Sequence, residues 1–154
     1  MKRVLGIGVW AFLLCVAVGM LISPVAAAQE VDEVKVGVVL PLSGNIAQTG
    51  NLIKAAMELS QEVINNSYPD LKVPMAASSG FPNFDGAKLK IVFLDTQNIP
   101  EKGMSATEQL ITREKVCAVM GAYSSAVTAT AAQAAERLGV PFLNENSTSP
   151  KLTQ

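Results

Sequence analysis

Apolar and polar positions along this chain alternate between two periods. Glu33 to Leu40 begins with strict alternation and ends as a continuous apolar run, the pattern of a parallel strand covered on both faces. It stops at Pro41. The loop Pro41 to Gly50, PLSGNIAQTG, leads into a stretch of helical period in which Leu52, Ala56, Leu59 and Val63 share one face, ended by Asn65-Asn66. Leu89 to Leu94 reads as a second strand, closed by Asp95. After a polar turn from Thr96 to Ile99, Pro100-Glu101 suits a first helical turn. Met104, Ala106, Leu110 and Ile111 then form an apolar stripe ending near Arg113. Val116 to Met120 is a third strand. It breaks at Gly121 and passes through Tyr123, Ser124 and Ser125 into an alanine-rich helix with Val127, Ala131, Ala134 and Leu138 on one face. Gly139 is a natural stop, Val140 to Leu143 a fourth strand, and Asn144 to Thr153 a polar loop.

The order β-α-β-α-β-α-β predicts an α/β fold: a doubly wound, Rossmann-like parallel sheet with right-handed crossovers and helices on both faces. One stretch interrupts it. Ser67 to Ala87 holds three prolines and two glycines without a clear period. A loop of that length is uncommon inside a compact domain and reads as a surface insertion, a lid over the site being the sharper alternative.

The first 28 residues stand outside this pattern. Met1-Lys2-Arg3 is a cationic start, Val4 to Ile22 is apolar, and Ala26-Ala27-Ala28 supplies a small-x-small cleavage pattern before Gln29. We read residues 1–28 as a secretory signal peptide cleaved between Ala28 and Gln29, and 29–154 as the exported part, which places the protein in the periplasm. The apolar run is also about long enough to span a bilayer, the alternative being an uncleaved anchor.

Removing the signal leaves 10 basic and 13 acidic residues, a net charge of −3. With no basic face and no interleaved aromatics, nucleic acid is not an expected partner. Cys117 is the single cysteine left, and its place in an apolar strand predicts a buried, inert thiol. The chain has no histidine, which removes Ser-His and Cys-His pairs and imidazole metal sites. Neither a phosphate-binding Gly-x-x-x-x-Gly-Lys nor a dinucleotide Gly-x-Gly-x-x-Gly follows any strand, so no cofactor and no metal is expected, and the protein is read as a non-enzyme. Asp95, at a strand end, is read as a turn carboxylate rather than an acid-base group.

In a doubly wound sheet, ligands bind beyond the carboxyl ends of the strands. Here the loops at those ends are rich in Ser, Thr, Asn and Gly, neutral donors and acceptors suited to a small polar solute. At Ser124-Ser125 hydroxyls meet a helix N-terminus, which favours a carboxylate or phosphate; serine there is also simply a good N-cap.

The opening VKVGVVLPLSGNIAQTG and the segment VMGAYSSAVTATAAQAAERLGVPFLNENSTSPKLT resemble the N-terminal lobe of the periplasmic branched-chain amino-acid (Leu/Ile/Val-type) binding proteins of ABC importers, type I periplasmic binding proteins. The resemblance rests on a strand followed by P-L-S-G, a Gly-x-x-Ser-Ser turn, and a Gly-Val-Pro strand before an S/T-S-P-x-L-T loop. It implies a two-lobed protein that closes on its ligand. Ser125 falls where a serine and helix N-terminal amides hold the ligand's α-carboxylate, with Tyr123 and Ser124 in the same ligand-binding turn. Asn146 falls where a backbone carbonyl takes the α-ammonium, and Thr148 where a threonine contacts the head group. Thr49 stands where some members carry an aromatic residue lining the side-chain pocket, which leaves the ligand open between branched-chain amino acids and related amides. A disulfide that some members carry near the second strand has no counterpart at Gln97 and Asn98.

By this resemblance the chain is an N-terminal lobe fragment of the extracytoplasmic solute-binding component of an ABC importer, working with a membrane permease. The alternative is the ligand-sensing domain of a receptor with the same fold. With the second lobe absent, the chain presents half a site, and weak or undetectable binding is expected of it alone.

Overall fold

The computed structural model describes residues 31–153, so the proposed signal peptide and its cleavage point lie outside the described residues. Four parallel strands, β1 (Glu33–Leu40), β2 (Lys88–Asp95), β3 (Ala118–Gly121) and β4 (Phe142–Leu143), form a sheet in the order β2-β1-β3-β4. Helices α1 (Ala47–Asn65), α2 (Pro100–Gln109) and α3 (Ser125–Arg137) connect them. The predicted α/β architecture is the one observed. Register runs from Glu33 opposite Lys88 to Leu40 opposite Asp95 on one side of β1, and from Val36 opposite Ala118 to Val39 opposite Gly121 on the other.

Because β2 and β3 lie on opposite sides of β1, right-handed crossovers send α1 to one face of the sheet and α2 to the other. The side chains agree. Val39, Val119, Leu110, Val127 and Ala131 belong to a buried cluster against which Val92 and Leu94 pack. Phe93, between those two, points the other way, and Lys54 of α1 lies over its ring at 5.2 Å.

Several sequence expectations need correcting. β3 starts at Ala118 rather than Val116 and β4 at Phe142 rather than Val140. Pro141 has no N–H and gives only its carbonyl, to the N–H of Val119 at 3.0 Å. Cys117 precedes β3 and is exposed, not buried; its thiol donates to the Lys35 carbonyl at 3.2 Å. On α3, Val127, Ala131 and Ala134 are buried as expected, but Leu138 is exposed and Thr128 and Ala135 take the remaining core positions. On α2, Ala106 and Leu110 are buried, and the helix ends in a widened turn, Leu110–Glu114, stopped by Lys115 at φ 58°.

The largest correction concerns α1. Leu52 is 67% and Leu59 61% exposed, and Ala56 is exposed too, so three of the four stripe residues chosen from the sequence face away from the sheet and only Val63 is half-buried. A second set, Ile53, Met57 and Ile64, is half-buried together with Gln61 and Asn65. That side wins because it completes the edge of β2. The Asn65 side chain donates to the Leu89 carbonyl at 2.8 Å and accepts its N–H at 2.7 Å, while Gln61 accepts the N–H of Ile91 at 2.6 Å. Two amides thus occupy backbone groups of a strand that, among the described residues, has no neighbour on that side, blunting an edge otherwise open to pairing.

The segment from Ser67 to Ala87 forms two short helical turns, Pro74–Ala76 and Pro82–Phe84. It is fastened to the C-terminal end of α1, through Gly80 N–H to the Ile64 carbonyl (2.7 Å) and the Ser79 hydroxyl to the Asn65 carbonyl (3.0 Å). In a βαβ unit that is the end of the sheet where strands begin. The segment is therefore a surface insertion on the side opposite the post-strand loops, and the lid reading fails.

Candidate ligand-binding site

Strand order reverses at β1, so the crevice of a doubly wound sheet lies between the carboxyl ends of β1 and β3. Three devices shape the loops there. Gly50, in the first turn of α1, is buried; a Cβ at this position would fall 2.0 Å from the Pro41 carbonyl oxygen, so only glycine lets the helix start so close to the end of β1. Gly121, at φ 119°, would set a Cβ 2.2 Å from the Val39 carbonyl oxygen, and ends β3 beside its neighbour. The third device is Asp95.

Asp95 Oδ1 accepts the N–H groups of Leu42 (2.8 Å), Ser43 (3.2 Å) and Gln97 (2.9 Å), and Oδ2 accepts the Ser43 hydroxyl at 2.5 Å. Burial alone would raise its carboxyl, but the Ser43 hydroxyl and the three N–H groups outweigh burial and hold it below the usual carboxylate range. All this capacity is spent on the protein's own loops. Asp95 is thus the turn carboxylate expected of it, and it fixes the P-L-S-G loop.

Beyond β3, Ser124 is the N-cap residue of α3, yet its hydroxyl makes no cap bond, so the simple capping role is not the one adopted. Ser124 and Ser125 are half-buried and Tyr123 is 41% exposed. The first-turn N–H groups of α3 have no acceptor within the helix. Asn146 and Thr148 lie exposed in the loop after β4.

Two residues that sequence reasoning missed join these loops. Thr128 Oγ1 and Ser147 Oγ are 2.5 Å apart. Both hydroxyls reach the Ala122 carbonyl at 2.9 Å, and that of Ser147 also reaches the Tyr123 carbonyl at 3.2 Å. The carbonyls of Ala122, Tyr123, Ser124 and Ser147 are all occupied by hydrogen bonds, whereas among the described residues none reaches that of Asn146. Thr49, half-buried in the first turn of α1, shares no hydrogen bond with these loops. The signal for Ser147 was only its place between Asn146 and Thr148; for Thr128 it was a hydroxyl at a core position of a helix.

Chemically, the arrangement offers helix N–H groups and serine hydroxyls on one side, with a carbonyl and a threonine hydroxyl on the other, the N–H groups and the carbonyl being without a partner among the described residues. Among the described residues, no group of three His, Cys, Asp or Glu side chains is placed to hold a metal ion.

Comparison with known proteins agrees with this architecture. The chain is 26% identical over 127 residues to a Leu/Ile/Val-binding protein homolog of Brucella melitensis, covering 82% of this chain and 30% of that protein. It superposes with a TM-score of 0.63 on the branched-chain amino-acid transporter substrate-binding protein LivJ of Streptococcus pneumoniae, in complex with isoleucine, at 26% identity over 79% of this chain and 31% of that one. The leucine-binding protein LivK of Thermotoga maritima gives the same TM-score at 27% identity, over 79% and 30% of the two chains. The chain thus spans about 30% of the length of these relatives. Residues 33–154 match the family model described as periplasmic binding protein, and the chain belongs to that family.

Proposed function

We propose that this chain forms one wall of an amino-acid site in the solute-binding component of an ABC importer, the other wall coming from a second lobe. The observation that carries this reading is the pairing of two loops with opposite polarity. After β3, the Ser125 hydroxyl and the first-turn N–H groups of α3 suit an α-carboxylate. After β4, the Asn146 carbonyl, to which no described residue donates, suits an α-ammonium, and the Thr148 hydroxyl contacts the same head group. Tyr123 and Ser124 line the turn, and Thr49 borders the side-chain pocket. The names of the relatives favour a branched-chain amino acid as the small-molecule ligand. Residues 29–154 are an incomplete ligand-binding lobe, exported to the periplasm by the 1–28 signal, and a membrane permease is the partner.

Ser125→Ala tests this in the polypeptide extended through its second lobe. Affinity for leucine or isoleucine falls by about 1.5 to 3 kcal/mol, the range for a hydrogen bond to a charged group. A change below about 0.5 kcal/mol, by calorimetry, rejects the carboxylate assignment.

A further inference from the structure

The two walls of the proposed site come from different loops, and something has to set their spacing. Thr128 is 1% exposed, one helical turn after Ser125 on α3. Its Oγ1 accepts the N–H of Ala122 at 3.1 Å. Ser147, between Asn146 and Thr148, has its own backbone held by Asn144: the side-chain carbonyl accepts Ser147 N–H at 2.8 Å and the side-chain amide donates to the Ser147 carbonyl at 2.8 Å. Both hydroxyl hydrogens are used when Ala122 N–H donates to Thr128 Oγ1, Thr128 donates to Ser147 Oγ across 2.5 Å, and Ser147 donates to the carbonyls of Ala122 at 2.9 Å and Tyr123 at 3.2 Å. Each donor in such a chain polarises the next. The chain starts in the turn after β3, passes through α3 and the loop after β4, and returns to its starting turn.

We infer that Thr128 and Ser147 are positioning residues, which touch no ligand but fix the distance between the Ser125 helix terminus and the Asn146–Thr148 loop. The inference rests on the amino-acid reading for what the spacing serves, but not for the coupling itself. Ser147 is half-buried at the surface, so Ser147→Ala removes the contact without opening the core. Thr128→Ser keeps the hydroxyl, while Thr128→Val keeps the shape and loses it.

The test is amide NMR on the chain, first without ligand and then titrated with leucine into the tens of millimolar. Ser147→Ala and Thr128→Val are expected to shift the Ser125 and Ala126 resonances and to speed hydrogen exchange at least fivefold at Ala122 and at position 147, whose N–H groups are held by Thr128 Oγ1 and by the Asn144 side chain. Both weaken the leucine response three- to tenfold, with no further loss in the double variant, and Thr128→Ser restores wild-type behaviour. Wild-type exchange at position 147 and unmoved Ser125 resonances in Ser147→Ala would overturn the inference, as would a Thr128→Ser variant that behaves like Thr128→Val. A wild type with the coupling intact but no leucine response still supports the positioning role, which the ligand-free shifts and exchange rates decide; the amino-acid reading is rejected separately, by an unchanged affinity of Ser125→Ala in the polypeptide extended through its second lobe.

Discussion

Replacing Asp95 by Asn isolates the charge that holds the P-L-S-G loop. The variant keeps an acceptor for the N–H groups of Leu42, Ser43 and Gln97 but presents an NH₂ group to the Ser43 hydroxyl, and it loses the charge assistance of all four bonds. Hydrogen bonds to an ionised acceptor are about twice as strong as neutral ones, and net values of roughly 1.5 to 3 against 0.5 to 1.5 kcal/mol put the loss at about 1 to 2 kcal/mol at pH 7. The Asp95 carboxyl is lowered in the folded state. Its contribution is therefore complete above the unfolded carboxyl value near ~3.9 and fades as pH falls through the lower folded value. Urea unfolding of wild type and Asp95→Asn at pH 7, 5 and 3 reads this directly. The gap should be present at pH 7, nearly unchanged at pH 5, and reduced at pH 3. Equal stabilities at pH 7, or a gap that persists unchanged at pH 3, would refute the reasoning.

Asn65→Ala leaves the outward N–H and carbonyl of Leu89 without their partner and should cost about 1 to 2 kcal/mol; hydrogen exchange at Leu89 should accelerate, and unchanged exchange there would show that the edge needs no seal. Gly121→Ala forces a Cβ to 2.2 Å from the Val39 oxygen at φ 119°, and a loss of about 3 kcal/mol or more is expected in thermal unfolding. Leu59→Gln, on the outward side of α1, should stay within about 0.5 kcal/mol. Leu110→Ala, fully buried, should cost about 2 to 5 kcal/mol; similar losses for the two would contradict the orientation of α1.

The strand and helix order was legible because β1 and β2 are long apolar runs and α3 has one clean buried stripe. Periodicity failed on α1 because that helix carries two apolar stripes, and the choice between them is made by Gln61 and Asn65, polar residues whose value appears only once β2 is an edge. Cys117 was misplaced for a related reason: an apolar run does not say where pairing with β1 starts. At the site, the glycine-to-serine turn announced itself through hydroxyls at a strand-to-helix junction. The Thr128–Ser147 contact did not, since it joins residues 19 apart that carry no shared sequence signal.

The central claim is that one face of this chain reads both charges of an amino-acid head group. Amide NMR of the polypeptide extended through its second lobe, with leucine, isocaproate (no ammonium) and leucinamide (no carboxylate), separates the two. Leucine should move resonances at 124–127 and at 146–148, isocaproate mainly the first set and leucinamide mainly the second. Shifts confined to other parts of the sheet, or identical responses to all three compounds, would contradict the account.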